Sequence, residues 1–377
     1  MSLKKKIRGF YISCQQELFP WLERQFGSLP KRYQKLMMVL EIARVDDHLP
    51  RSLPGRYGGR PEAHRASLAR SFMAKMVLNI QTTSALRERL LTDSILRSIC
   101  GWPSDLTVPS ESTFSRAFRE FAHNQLPNRI HEALIAEGYD GELVGHISRD
   151  STAIEAREKP VPKKEAPAPA PKKRGRPKKG EERPKELRRM EKQRTMDVDE
   201  MLEDLPNDCT VGCKRNAKGH TTKWIGYKLH MDTADGGIPI SCMVTSASMH
   251  DSQAAIPLSR ITEQQVAYLY EIMDSAYDAE DLYAESRAAG RVPIIDKNPR
   301  NQKAAHDREL KARRHANFVP AERERYKERS TVERAFGRLK DEFGARNLRV
   351  RGHEKVRCHL MFGVVVLTVD QMLRLIQ

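Results

Sequence analysis

Residues 326–340 place four chemically capable side chains at helical spacing: Tyr326, Arg329, Glu333 and Lys340. At about 100° per residue of α-helix they fall in one stripe roughly 60° wide, and an apolar stripe lies beside it. Such a helix can pack on a sheet and present a carboxylate flanked by cations at the edge of that sheet. The pattern suits a metal ion held against a phosphodiester. By themselves, Arg329 and Glu333 could equally form an ordinary i,i+4 ion pair on a solvated helix.

Two aspartates elsewhere in the chain could complete such a site. Asp150 ends a predicted strand over 143–149, and Asp274 ends another over 267–273. Carboxylates that follow strands lie at the edge where an α/β sheet forms its site. Three hard oxygen donors from separate elements suit Mg²⁺ or Mn²⁺, and two such ions can activate a hydroxyl nucleophile and stabilise the departing oxygen. On the sequence alone, Asp278 could replace Asp274.

The charge of the chain favours a polyanionic partner. The sequence has 377 residues, with 66 Lys and Arg against 50 Asp and Glu, for a net charge of +16. An excess this large predicts nucleic-acid binding that weakens as salt rises. Six cysteines without a disulfide framework suit a reducing cytosol. The longest apolar run, 360–369, is about half of a membrane span, which predicts a buried C-terminal helix and no membrane partner.

Two kinds of secondary structure are predicted to position these residues. Residues 1–138 have helical patterns, and short basic helices joined by tight turns are consistent with a helix-turn-helix reader or with any small helical bundle. From residue 139 onward, strands first pair as a hairpin over 224–245, around an Asp-Gly-Gly turn, and then alternate with helices. This order predicts a mixed α/β sheet.

A segment of different composition, residues 156–208, interrupts the second part of the chain. It begins with a Pro-, Ala- and Lys-rich run and continues with six cations in the eight residues 172–179. This composition predicts a disordered insert. Its core around Arg174 and Arg176 resembles an AT-hook, in which extended Arg-Gly-Arg follows a narrow A·T minor groove. The same residues could equally be a flexible basic linker that binds phosphates without preference.

The chain resembles the DDE transposases of bacterial insertion sequences, in the large group marked by a Tyr-x2-Arg-x3-Glu-x6-Lys signature. Residues 326–340 fit that signature without a gap, and the stretches around Asp150 and Asp274 resemble the strands that carry the two aspartates of the family. Other stretches that resemble the family are, in chain order, 59–61, 109–116, 224–230 and 248–253.

The resemblance implies a ribonuclease-H-like α/β catalytic domain over 139–377, a mixed sheet with flanking helices, and an N-terminal all-α DNA-binding domain over 1–138. Asp150, Asp274 and Glu333 are then the catalytic residues and the ligands of Mg²⁺ or Mn²⁺, with two ions expected. Only 59 positions separate Asp274 from Glu333, so the large β-rich insertion that some relatives carry there is not expected.

The resemblance also implies that Tyr326, Arg329 and Lys340 contact the DNA backbone near the cleaved end. Arg174 and Arg176 are DNA-binding candidates from the hook-like motif. The expected protein is a transposase that binds the terminal inverted repeats of an insertion sequence, then cuts and joins DNA with metal. Its expected partners are double-stranded DNA and a second copy of the chain on that DNA, in the bacterial cytoplasm at the nucleoid. Two alternatives are a non-catalytic DNA-binding protein and a nuclease that does not join DNA.

Overall fold

The structure is a computed structural model. It describes residues 3–49, 64–162, 187–215, 219–316 and 319–376. The hook-like motif with Arg174 and Arg176, and the segment 59–61, lie outside the described residues.

The regular structure between residues 3 and 139 is helical wherever the chain is described. In chain order the α-helices are α1 (Leu3–Ser13), α2 (Phe19–Phe26), α3 (Lys31–Ala43), α4 (Arg65–Val77), α5 (Thr83–Thr92), α6 (Ser94–Ile99), α7 (Glu111–His123) and α8 (Leu126–Tyr139). Side-chain caps begin three of them, because His64 accepts from the backbone N–H of Ser67, Thr82 from that of Ala85 and Asp93 from that of Leu96.

One mixed sheet follows, with six strands among the described residues. They are β1 (Val144–Glu155), β2 (Thr210–Arg215), β3 (Thr221–Ala234), β4 (Ile238–Ser246), β5 (Tyr268–Met273) and β6 (Val292–Ile295). The central strand β1 pairs antiparallel with β3 and parallel with β5, and β5 pairs parallel with β6. Strand β3 pairs antiparallel with β2 along 221–226 and with β4 along 227–234. The predicted hairpin is confirmed, with both glycines of the Asp235–Gly237 turn at positive φ.

Strand β1 extends past the point predicted from the sequence. The prediction that Asp150 ends the first strand is wrong, because β1 continues to Glu155 while paired with β3. The parallel pairing with β5, in contrast, stops at Ser148. Asp150 therefore lies just beyond the edge where β5 ends, still held on its other side by β3.

Helices pack on both faces of the sheet. The α-helices that follow β1 in the chain are α9 (Arg189–Gln193), α10 (Val198–Asp204), α11 (Ala255–Gln265), α12 (Glu280–Ala288), α13 (Lys303–His315), α14 (Ala321–Tyr326), α15 (Ser330–Asp341) and α16 (His353–Arg374). On one face, α11 contributes Thr262, which donates to Asp232 of β3. On the other face, the hydroxyl of Ser148 in β1 donates to the carbonyl of Glu328, just before α15. The fold is thus a mixed α/β arrangement with flanking helices.

Helix α16 joins the N-terminal helices to the sheet in one hydrophobic core. Its Phe362 is fully buried and lies 5.9 Å from the ring of Phe72 in α4 and 6.3 Å from that of Phe118 in α7. Within the described chain, α16 is the only helix long and apolar enough to cross a membrane, and 94% of its most apolar 18-residue stretch is buried inside the fold. The apolar run at 360–369 is therefore a core helix, as predicted.

The prediction of disorder over 156–208 is wrong for residues 187–208. This stretch includes α9 and α10, which pack against α11 through a few contacts. Gln193 is fully buried and donates to the carbonyl of Gln253 at 2.9 Å, and Met201 packs in a small apolar cluster. The charged composition concealed these contacts because only one residue of each helix is buried.

Candidate active site

Three carboxylates surround the guanidinium of Arg329. Its Nη2 atom lies 3.2 Å from Asp150 Oδ2 and 3.6 Å from Asp274 Oδ2. Its Nη1 atom lies 2.6 Å from Glu333 Oε1. The structure therefore brings together the three acids proposed from the sequence, with one cation between them.

The three acids fit a divalent cation in the chemistry of their donors. Carboxylate oxygens are the ligands that Mg²⁺ and Mn²⁺ prefer, and all three sit within 3.6 Å of one cationic group. In the described ranges, however, no cluster of three or more His, Cys, Asp or Glu is arranged to hold a metal ion directly. In this arrangement the guanidinium of Arg329 lies where the carboxylates converge.

Asp150 is the most buried of the three acids, at 8% exposure. Burial is the main cause that raises the pKa of its carboxyl to about 6, and the nearby Asp274 raises it further. The backbone N–H of Ser151, which donates to Oδ1 at 2.7 Å, and the charge of Arg329 oppose that rise. The negative charge of Asp150 is therefore only partly balanced by its neighbours, and an added cation would favour the ionised form of its carboxyl.

Asp274 serves two contacts at once. It follows β5 and caps the turn Ser275–Tyr277, where its Oδ1 accepts from the backbone N–H of Ala276 at 2.9 Å. Its Oδ2 faces Arg329. The alternative acid, Asp278, bonds elsewhere: it accepts from the backbone N–H of Asn298 and from the hydroxyl of Tyr283. The geometry thus favours Asp274 over Asp278 as the partner of Asp150.

Helix α15 presents Glu333 because its apolar side is buried against the sheet and α16. Val332, Phe336 and Leu339 are all at most 6% exposed, which confirms the apolar stripe expected from the sequence. Glu333 lies in the first turn of α15 with a half-exposed side chain. An acid anchored by a buried helix but open to solvent can contact both a cation and a large substrate.

The spacing of the signature residues predicts one continuous helix, and the structure differs from that prediction. Helix α14 ends at Tyr326, and a 3-10 turn over Lys327–Arg329 precedes α15. The carbonyl of Glu328 in this turn accepts from Ser148 of β1, which holds the turn against the sheet. Arg329, the last residue of the turn, donates a hydrogen bond to Asp150.

The other two signature residues lie on either side of the acids. Tyr326 is partly buried; burial first, and then the charges of neighbouring acids, raise the pKa of its phenol to about 12 although Arg329 opposes them. Lys340 donates from Nζ to the hydroxyl of Thr152 on β1 at 2.7 Å. Burial, with the charges of Arg346 and Lys214, lowers the pKa of its ammonium. Cations therefore flank Asp150 along β1.

Sequence reasoning missed a buried ion network behind the acids. Arg149 precedes Asp150, and its side chain lies on the opposite face of β1, where it is 2% exposed. It donates to both oxygens of Asp232, at 2.8 and 2.6 Å, and lies 3.4 Å from Glu271 Oε1. A charged residue in a strand flanked by buried positions was the only signal of this network in the sequence, because its partners are distant along the chain.

Glu271 is strongly compensated by the cations of that network. Burial alone would raise its pKa, but the guanidiniums of Arg149 and Arg291 lower it to about 2. The hydroxyls of Ser259 and Tyr268 also donate to its carboxylate, at 2.5 and 2.7 Å. The network ties β1, β3 and β5 to α11, directly behind Asp150 and Asp274.

Comparisons with known proteins identify the family. A model described as "Transposase DDE domain" matches residues 146–369, which is 224 of the 377 residues and includes all three acids. A model described as "Transposase domain (DUF772)" matches residues 22–120. No curated protein matches the chain, and no solved structure matches it. Transposase DDE domains act on DNA and generally depend on divalent metal ions. The chain therefore belongs to the transposases with a DDE domain, as its sequence signature indicated.

Proposed function

We propose that this transposase binds the terminal inverted repeats of an insertion sequence, cuts a phosphodiester at each end and joins the freed 3′-hydroxyl to target DNA. The observation that carries the proposal is the convergence of Asp150, Asp274 and Glu333 on Arg329. These acids come from a strand, a strand end and a helix, and they meet at a partly exposed position that a substrate can reach. The family match supports transposition as the general activity.

The proposed catalytic fold is ribonuclease-H-like. The order of strands in the sheet supports it, because three antiparallel strands (β4, β3 and β1) are followed laterally by two parallel ones (β5 and β6). In such a sheet the ends of β1 and β5 meet, so residues that follow them can share a ligand.

In the proposed reaction, Asp150, Asp274 and Glu333 hold Mg²⁺ or Mn²⁺, with two ions expected. Bound metal supplies activation of the nucleophilic hydroxyl and stabilisation of the departing oxygen. Arg329 contributes a planar guanidinium that can bind a phosphate through two parallel hydrogen bonds once it leaves the carboxylates. Lys340 contributes a compact positive charge on the far side of Asp150, beside Thr152. We infer that both contact the DNA backbone near the cleaved end, together with Tyr326.

The N-terminal helices are proposed to recognise the ends of the element. In α7, Phe114 and Phe118 are buried, whereas Arg116 and Arg119 are exposed on the opposite side, as a helix that docks on DNA requires. Arg174 and Arg176 are proposed as additional DNA contacts. Because two ends must be processed together, a homodimer assembled on DNA at the nucleoid is part of the proposal.

The test is cleavage and joining of end DNA by the full chain in Mg²⁺. Asp150→Asn, Asp274→Asn and Glu333→Gln are each expected to lower the cleavage rate at least ~1000-fold, because a metal ligand is lost while size and shape are kept. Asp278→Asn is the matched control and is expected to cleave normally. Products joined to a supercoiled target support transfer, and hydrolysis alone indicates a nuclease.

Three results would overturn the proposal. Full cleavage in the presence of a chelator would exclude the metal site. An inactive Asp278→Asn beside an active Asp274→Asn would show that the second ligand is misassigned. DNA binding without any Mg²⁺-dependent cleavage by the wild type would favour a non-catalytic DNA-binding protein.

A further inference from the structure

We propose that the cationic side of α13, with Lys303, Lys311 and Arg314, binds the sugar–phosphate backbone of the DNA duplex next to the reacting phosphate. The inference rests on the proposed function for the identity of the partner. It concerns a different surface from the three acids, and neither the signature nor the family match assigns a role to this helix.

Helix α13 does not contribute to the core. None of its residues is buried, although it is 13 residues long. A helix that is polar on all sides is stabilised either by its own ion pairs or by contacts with a partner. Only one such pair lies within it, between Arg313 and Glu309 at 2.5 Å. The helix therefore has a surface that the rest of the described chain leaves open.

Two adjoining sides of α13 differ in what they face. One side, with Leu310 and Arg313, lines a cavity of about 500 Å³ together with the end of β6 and Tyr326 of α14. The side next to it carries Lys303, Lys311 and Arg314, which fall within about 80° of one another around the helix axis. This second side is thus a row of exposed cations parallel to the helix axis.

These three cations are exposed and outnumber the acid beside them. Nowhere in the part of the chain that the structure describes does Lys303, Lys311 or Arg314 have an ion-pair partner. Asp307 is the acid that shares their stripe, so the row keeps an excess of positive charge. From Lys303 to Arg314 the helix rises about 16 Å, which is long enough to meet more than one phosphate of a DNA strand. A regular row of negative charge is the partner that this row fits.

The position of α13 connects this row to the acids. The helix lies between β6 and α14 in the chain, and Tyr326 both lines its cavity and precedes Arg329 by three residues. Tyr326 therefore lies beside both the cavity of α13 and the turn that carries Arg329.

The experiment measures the affinity of the full chain for end DNA, without divalent metal, at several salt concentrations. The variant Lys303→Gln/Lys311→Gln/Arg314→Gln is expected to bind at least ~10-fold more weakly near physiological salt. Its plot of log affinity against log salt is expected to have a slope smaller by about 2 to 3, because each lost phosphate contact removes about 0.9.

The matched control removes three exposed cations outside the N-terminal helices, as Arg157→Gln/Lys159→Gln/Lys192→Gln. It lowers the net charge equally and is expected to keep the wild-type slope. Equal slopes for the two triple variants would show a general charge effect and overturn the inference. A wild-type slope for the α13 variant would also overturn the inference. If that variant in addition failed to dimerise, the surface would bind a second copy of the chain instead of DNA.

Failure of this inference is distinguishable from failure of the proposed function. The acid variants test cleavage and are expected to leave the salt slope unchanged. If they cleave normally while the α13 variant loses slope, the surface stands and the proposed chemistry is wrong.

Discussion

On one face of strand β1, Asp150 shares a single guanidinium with two other carboxylates; on the other face, Arg149 is enclosed between Asp232 and Glu271. Both faces bury charge, but they balance it differently. The pKa of Asp150 is raised to about 6, mainly because burial is only partly offset, whereas that of Glu271 falls to about 2 because two guanidiniums outweigh its burial. A buried carboxylate whose charge is balanced by cations stays ionised and fixed in place. A buried carboxylate whose charge is only partly balanced is available to a cationic ligand.

The comparison also shows how the two faces depend on each other. Arg149 bonds β3 through Asp232 and contacts β5 through Glu271, and β1 pairs with β5 in the register Ile147 to Glu271. A slip of one residue would turn Arg149 toward the acids and Asp150 into the interior. We infer that the buried network holds the register that keeps Asp150 opposite Asp274.

Loss of the buried cation should have the largest effect on stability. Arg149→Met leaves Asp232 and Glu271 as buried charges without their main counter-ion, so the free energy of unfolding is expected to fall by about 3–5 kcal/mol. Arg149→Met/Asp232→Leu removes both partners of the bidentate pair and is expected to recover much of that loss. Urea unfolding at pH 7 measures both. If Arg149→Met lowered the free energy of unfolding by less than about 1 kcal/mol, the buried network would not be more tightly balanced than the acids on the other face of β1.

The pH dependence of Glu271 should be the next largest effect. Its folded pKa of about 2 lies below its ordinary value of 4.5, so its stabilisation is complete above pH 4.5 and is lost as pH falls toward 2. Glu271→Gln is therefore expected to lower the free energy of unfolding by on the order of 3 kcal/mol at pH 7. The gap from wild type should close between about pH 4.5 and 2. Urea unfolding across that range would refute the expectation if the gap stayed constant.

The smallest effect concerns the cation among the acids. Arg329→Gln removes a positive charge that competes with metal for Asp150 and its neighbours, so the DNA-free chain is expected to bind Ca²⁺ or Mn²⁺ about 10-fold more tightly, roughly 1.4 kcal/mol. Calorimetry measures this without any turnover.

Arg338→Gln provides the matched control for this measurement. Arg338 also pairs with a glutamate four residues later, Glu342 at the end of α15, but bonds Asp370 instead of the acids of the site. It should leave metal affinity unchanged. Equal or weaker metal binding by Arg329→Gln would show that the guanidinium supports the acids rather than competing for them.

Much of the site was predictable because its clues are local. The apolar stripe of α15, the hairpin turn at Asp235–Gly237 and the apolar run of α16 are each encoded within a dozen or so neighbouring residues, and all three were confirmed. The 3-10 turn before α15 was not predictable, because its position follows from the bond between Glu328 and Ser148, 180 residues apart. The continuation of β1 to Glu155 likewise depends on pairing with β3.

By itself, the sequence determined which side chains could do the chemistry and which side of α15 is buried. It also determined that the net charge favours a polyanionic partner. The tertiary structure alone decided that Arg329 lies among the three acids, that Arg149 is enclosed behind them and that the cations of α13 remain open. The physical reason is that residue type and spacing set local conformation, whereas the neighbours of a charge, and hence its pKa and its freedom to bind a ligand, are set by strands and helices that meet only in the folded chain.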